Sequence, residues 1–129
     1  MPIQGTRHSD SAIPLQCKWV KLPNASIVRV RGEVDLANVH LFQDSLDHAG
    51  RYGAPTIIDL TNVAYMDSTG MNVLMQFQEK SDRVQKGRVA VVFGSTVVLR
   101  VFSTLSLQDR IQVFPDVETA VSALVDQTP

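Results

Sequence analysis

Two apolar runs rich in β-branched residues, "PTIIDLT" (55–61) and "RVAVVFG" (88–94), bracket a segment whose apolar residues recur at helical spacing. No other feature constrains the fold as strongly. A short continuous run of this kind fits a strand covered by other elements. Between the runs, starting from Gly70, small or apolar residues fall at Val73, Leu74, Phe77, Ser81 and Val84. This is one face of a helix of about four turns, with Gly87 as its stop. Strand, helix, strand in that order predicts parallel pairing through a right-handed crossover.

The flanking sequence extends the pattern. "LQCKWVKL" (15–22) alternates, "PNA" turns the chain, and "SIVRVRGEV" (26–34) alternates again. In the second run Ile27, Arg29 and Arg31 share one side and Val28 and Val30 the other. Two such runs so close together predict an antiparallel pair. "LANVHLFQDSLDHAGRYG" (36–53) carries Val39, Phe42, Leu46 and Ala49 on one helical face, with Asp35 as its cap and Gly50 or Gly53 as its stop. "STVVLRVFSTL" (95–105) reads as a Ser-capped helix with Val98, Val101, Phe102 and Leu105 on its stripe. "IQVF" (111–114) reads as a last strand. "PDVETAVSALV" (115–125) reads as a helix capped by Asp116, with Val117, Ala120, Val121 and Leu124 inward. The expected fold is a single α/β domain over residues 15–126, a mixed β-sheet with about four helices in the order ββαβαβαβα. Residues 1–14, "MPIQGTRHSDSAIP", are polar and read as a flexible tail.

Composition narrows the function classes. The net charge of −1 and the scattered 12 Lys and Arg give no basic footprint for nucleic acid. No apolar stretch reaches the roughly 18 residues of a membrane span, and the first residues lack the apolar core of a signal peptide. The single cysteine, Cys17, makes an internal disulfide impossible and has no ligand spacing with His8, His40 or His48. The expectation is a cytoplasmic protein with no metal and no cofactor.

The chemistry concentrates in "MDSTGM", residues 66–71, between the apolar strand and the helix. Two readings of Asp67, Ser68, Thr69 and Gly70 stand. In one they only cap a strand-to-helix junction. In the other a hydroxyl is presented for modification at the carboxyl end of a parallel strand, where open α/β sheets place their sites. A helix N-terminus also tolerates phosphate. The order of elements brings Asp35, at the end of "GEVD", toward the same edge. Catalysis is disfavoured: a nucleophilic Ser68 or Thr69 needs a base, and His40 and His48 lie among polar helix neighbours. Met71 and Met75 flank the helix stripe. They either offer an adaptable binding surface or widen the core face.

"VRGEVDLANVHLFQDSL", "IIDLTNVAYMDSTGMNVLMQF" and "VVLRVFSTLSLQDRIQVFPDVETAVSAL" together resemble the STAS domain family, and within it bacterial anti-sigma factor antagonists. The resemblance covers about residues 15–126. It implies a partner-switching role, in which the unphosphorylated antagonist binds an anti-sigma factor that is also a GHKL-type serine/threonine kinase, and so frees a sigma factor. Phosphorylation releases the partner, and a phosphatase resets the switch.

By position the acceptor is Thr69, with Ser68 the lesser candidate. Asp35, Asp67, Ser68, Thr69, Gly70, Met71 and Met75 fall at the partner surface, and Gly32 and Glu33 belong to the motif's framework. The resemblance equally accommodates an unphosphorylated subunit of a membrane transport or stress-sensing complex. Two departures stand out: Asn72 replaces a Gly frequent in relatives, and their late S-G-L motif reads Ser106-Leu107 after Leu105 here, without the Gly. The oligomeric state is left open.

Overall fold

The computed structural model describes residues 14–85 and 88–126. Among them are five strands and four α-helices: β1 (Gln16–Lys21), β2 (Ser26–Val34), α1 (Val39–Tyr52), β3 (Thr56–Met66), α2 (Ser68–Gln85), β4 (Val89–Phe93), α3 (Thr96–Thr104), β5 (Gln112–Phe114) and α4 (Val117–Asp126). A short 3-10 turn, Leu107–Asp109, links α3 to β5. Most of the tail 1–14, and Gly87 as helix stop, lie outside the described residues.

The strands form one sheet in the order β1-β2-β3-β4-β5. β1 pairs antiparallel with β2, while β2–β3, β3–β4 and β4–β5 are parallel. The mixed sheet and the ββαβαβαβα order match the pattern in the sequence. The main core gathers Val28, Val30, Phe42, Leu46, Ile58, Leu60, Leu74, Phe77, Val91 and Phe102 between one sheet face and α1, α2 and α3. On the other face Ala25, Ile27, Ile57, Ala90 and Val92 pack with Ala120 and Leu124 of α4. Each large aliphatic or aromatic side chain so buried contributes about 1.5–3 kcal/mol of transfer free energy.

Three expectations change. β3 runs on to Met66 instead of ending near Thr61. Its last six residues lie beyond Leu60, the last to pair with β4, and from Asn62 onward they pair only with β2. Register shifts between Arg29 and Arg31 and between Gly32 and Glu33 break the simple alternation that marks a strand in sequence. α1 begins at Val39, not at residue 36, because the chain first closes a turn. Val101 and Leu105, placed on the stripe of α3, are exposed; Val98 and Phe102 alone are its buried residues. With only nine residues, α3 lays a narrower stripe on the sheet.

Candidate functional site

The site is built by the register of β2 and β3. Val34 is the Cα partner of Met66, and the Asp67 N–H donates to the Val34 carbonyl at 3.1 Å. Asp35 and Asp67 therefore leave the sheet side by side, at the carboxyl ends of adjacent parallel strands.

Asp67 caps α2. Its Oδ1 accepts from the N–H of Thr69 at 2.9 Å and of Gly70 at 3.3 Å, and its carbonyl accepts from the Met71 N–H at 3.2 Å. The carboxylate thus satisfies donors that the first turn of a helix leaves free, and it complements the positive end of the helix dipole. The same Oδ1 also accepts the hydroxyl of Thr69. The cap is the acid, so neither hydroxyl is consumed in capping. Ser68 opens the helix and is exposed; Thr69 is half-buried. The pair Asp59 and Thr61 repeats the arrangement, with Asp59 Oδ1 accepting the Thr61 N–H at 3.0 Å and its hydroxyl at 2.5 Å. There, however, the carboxylate has a cation beside it, Arg29 Nε at 4.0 Å. The ion pairs found among the described residues do not include Asp35 or Asp67.

Asp35 does not cap α1, contrary to expectation. Its Oδ1 accepts from the N–H of Ala37 at 3.0 Å and of Asn38 at 3.2 Å, and its own N–H donates to Asn38 Oδ1 at 2.9 Å. Asn38 Nδ2 reaches back to the Glu33 carbonyl at 2.9 Å. These bonds close a turn over residues 35–38, and Asn38 takes the N-cap position with its side chain spent on that turn.

Two glycines shape the site. Gly32 has φ 115°, a left-handed conformation that side chains resist, at the second register shift. Gly70 is buried, and a Cβ there would stand 2.5 Å from Met66 Cγ and 3.0 Å from Val34 Cγ1. Its bare backbone lets α2 start hard against the strand ends.

Met71 is 1% exposed and belongs to the core, so the binding-surface reading of this residue is corrected; Met75 is half-buried against the same core. The exposed apolar residues at this end of the sheet are others: Leu36, at 75%, in the turn after Asp35, and Tyr65, at 44%, the Cα partner of Glu33. Neither of them, nor Asn38, stands out as a site residue in the sequence. The sequence carries no clear signal for Leu36, because it precedes Val39 by the same three residues that separate Val39 from Phe42.

His40 and His48 are exposed on α1, and neither is hydrogen-bonded to Ser68 or Thr69; His48 Nδ1 instead pairs with the Asp44 carbonyl at 2.8 Å. Cys17 is a free, half-buried thiol, and burial pushes its pKa up to about 11. Among the described residues no cluster of three or more His, Cys, Asp and Glu could hold a metal ion, and no helix is long and apolar enough to cross a membrane.

An anti-sigma-F factor antagonist, RsfA, of Mycobacterium tuberculosis is 29% identical over 103 residues, which span 78% of this chain and 80% of that protein. The anti-sigma-B factor antagonist of Bacillus subtilis is 30% identical over 86 residues, 67% of this chain and 78% of its own. The crystal structure of an anti-sigma factor antagonist from Mycobacterium paratuberculosis superposes with a TM-score of 0.80 at 21% identity, covering 88% of this chain and 97% of the other, a likeness of fold. The profile of the STAS domain matches residues 17–120, and the chain belongs to the STAS domain family.

Proposed function

We propose that this protein is an anti-sigma factor antagonist whose partner binding is switched by phosphorylation of Thr69. The unphosphorylated protein binds an anti-sigma factor through the edge formed by Asp35, Leu36, Tyr65 and the start of α2. The partner, a GHKL-type serine/threonine kinase, transfers the terminal phosphoryl group of ATP to the Thr69 hydroxyl. The Oγ–P bond forms, ADP leaves with the electron pair of the broken bond, and the hydroxyl proton goes to base or solvent. A phosphatase restores the hydroxyl. Ser68, exposed beside it, is the lesser acceptor.

The bond from the Thr69 hydroxyl to Asp67 is the observation that carries this reading. A phosphate on that oxygen brings about −1.5 to −2 charges against a carboxylate that no cation of the described ion pairs neutralises. A unit charge pair at about 5 Å repels by roughly 3 kcal/mol at an effective dielectric of 20, less where water reaches it. About 1.4 kcal/mol is tenfold in affinity. Because both groups lie on this chain, the repulsion weakens the complex only as far as the partner would hold phosphate and Asp67 together in a drier interface; that added repulsion and the bulk of the phosphate act against binding with no refolding. The names of the two curated relatives support the anti-sigma partner.

The test is calorimetric titration against purified anti-sigma factors of the same bacterium, before and after incubation with ATP, with the phosphosite mapped by mass spectrometry. One partner should bind the unmodified protein and lose at least tenfold in affinity once Thr69 is phosphorylated. Binding unaltered by phosphate on Thr69, or phosphate that never appears there, refutes the switch.

A further inference from the structure

We infer that Leu36 is the anchor of the partner interface, a knob that enters an apolar pocket rimmed by cations on the anti-sigma factor; the inference rests on the function proposed above. Leu36 is 75% exposed, the most exposed of the large apolar side chains described. A solitary exposed leucine is ordinary. This one sits at the apex of a turn tied down by the bonds between Asp35, Ala37 and Asn38 and by the bond from Asn38 to the Glu33 carbonyl. The bonds that hold the turn also delay α1 to Val39, so Leu36 never reaches the inward stripe of the helix. The chain spends the side chains of two residues, Asp35 and Asn38, on a conformation that leaves a leucine in water.

Charge indicates the occupant. Asp35 immediately precedes Leu36, and Asp67 leaves the neighbouring strand at the same level. A partner surface that covers Leu36 must face these carboxylates, so its pocket is apolar with Lys or Arg at the rim. A turn backbone already held by hydrogen bonds loses little entropy on docking, so only the rotamers of Leu36 remain to be fixed. The site thereby separates two jobs: Leu36 supplies affinity and Thr69 supplies the switch.

The experiment titrates wild type, Leu36→Ala, Leu36→Met and Val113→Ala against the purified anti-sigma factors of the same bacterium. Each protein is also followed by thermal melting and sedimentation. Val113, 39% exposed on β5 at the far side of the sheet, is the control. Leu36→Ala should melt like wild type and bind at least tenfold more weakly. Leu36→Met should keep most of the affinity, and Val113→Ala all of it. Undiminished binding by Leu36→Ala, or an equal loss in Val113→Ala, overturns the anchor and leaves the proposed function standing. Wild type that binds none of the anti-sigma factors overturns that function and the anchor with it. Self-association that disappears in Leu36→Ala overturns the choice of partner, making a second copy of this chain the occupant.

Discussion

Introducing a negative charge at Thr69 should destabilise the protein through Asp67, and neutralising Asp67 should remove the effect. In Thr69→Glu the hydroxyl bond to Asp67 is lost, a net of about 1 kcal/mol. The new carboxylate also faces Asp67. The unit-charge repulsion of roughly 3 kcal/mol at about 5 Å is an upper bound, because the glutamate can swing toward solvent; about 1 kcal/mol survives. The helix N-terminus returns about 0.3–1 kcal/mol. The sum is a loss of about 1–2 kcal/mol, or a fall in Tm of about 4–8 °C for a domain of this size. In the Asp67→Asn background the cap persists, since Asn and Asp serve equally there, and the same substitution should cost about 1 kcal/mol less. Urea melts of the four proteins of this double-mutant cycle give the coupling directly, and repeating them at high salt should shrink it. A coupling below about 0.3 kcal/mol would refute the view that Asp67 senses charge at residue 69, and with it the electrostatic basis of the switch.

Other outcomes follow from particular residues. Ser106 holds φ 59°, the left-handed conformation that favours Gly; Ser106→Gly should raise stability by about 0.5–1 kcal/mol in urea melts, relief of strain exceeding the added chain entropy. Gly70→Ala should cost about 1–3 kcal/mol, because the new methyl presses on Met66 and Val34, and circular dichroism melts will register it. The thiol of Cys17, raised from 9.0 to about 11 by burial, should be alkylated at pH 8 roughly a hundredfold more slowly than an unperturbed cysteine, as read by mass spectrometry. Because the folded protein favours the protonated thiol, that contribution to stability is full below pH 9 and falls away toward pH 11.

The parts of the fold legible in the sequence are those where burial is periodic and continuous. The stripe of Val73, Leu74 and Phe77 in α2, the run Val89–Val92, and Ile57, Ile58 and Leu60 around the half-buried Asp59 are buried, so pattern and structure coincide. Legibility fails where a single side-chain bond decides between local choices. "EVDLAN" suits a capped helix as well as a turn. The deciding contact, Asn38 to the carbonyl of Glu33, spans only five residues, but it is available because Glu33 is fixed on β2. The end of β3 hides for a related reason: in "NVAYM" the register shifts disturb alternation, and the pairing comes from β2 alone. Met71 is ambiguous in sequence because a residue beside a helical stripe is placed by the angle at which the helix meets the sheet; Leu36 is kept out of α1 by the turn over residues 35–38. At the site, the cluster of acid, hydroxyls and glycine was visible as residue types. Which oxygen of that cluster caps and which hydroxyl is held emerges only from the geometry at Asp67.

The strand order across the sheet is the order along the chain. Every strand pairs with its sequence neighbours, so no ladder has to wait for a segment made much later, and each loop closed during folding is a single hairpin or a single crossover. Such a sheet can grow outward one strand at a time from the β2–β3 pair at its heart. That pair also carries the proposed switch. Leu36 and Tyr65 protrude at the ends of that pair, outside the core that the ladders build, so evolution can change them without disturbing the route by which the domain assembles.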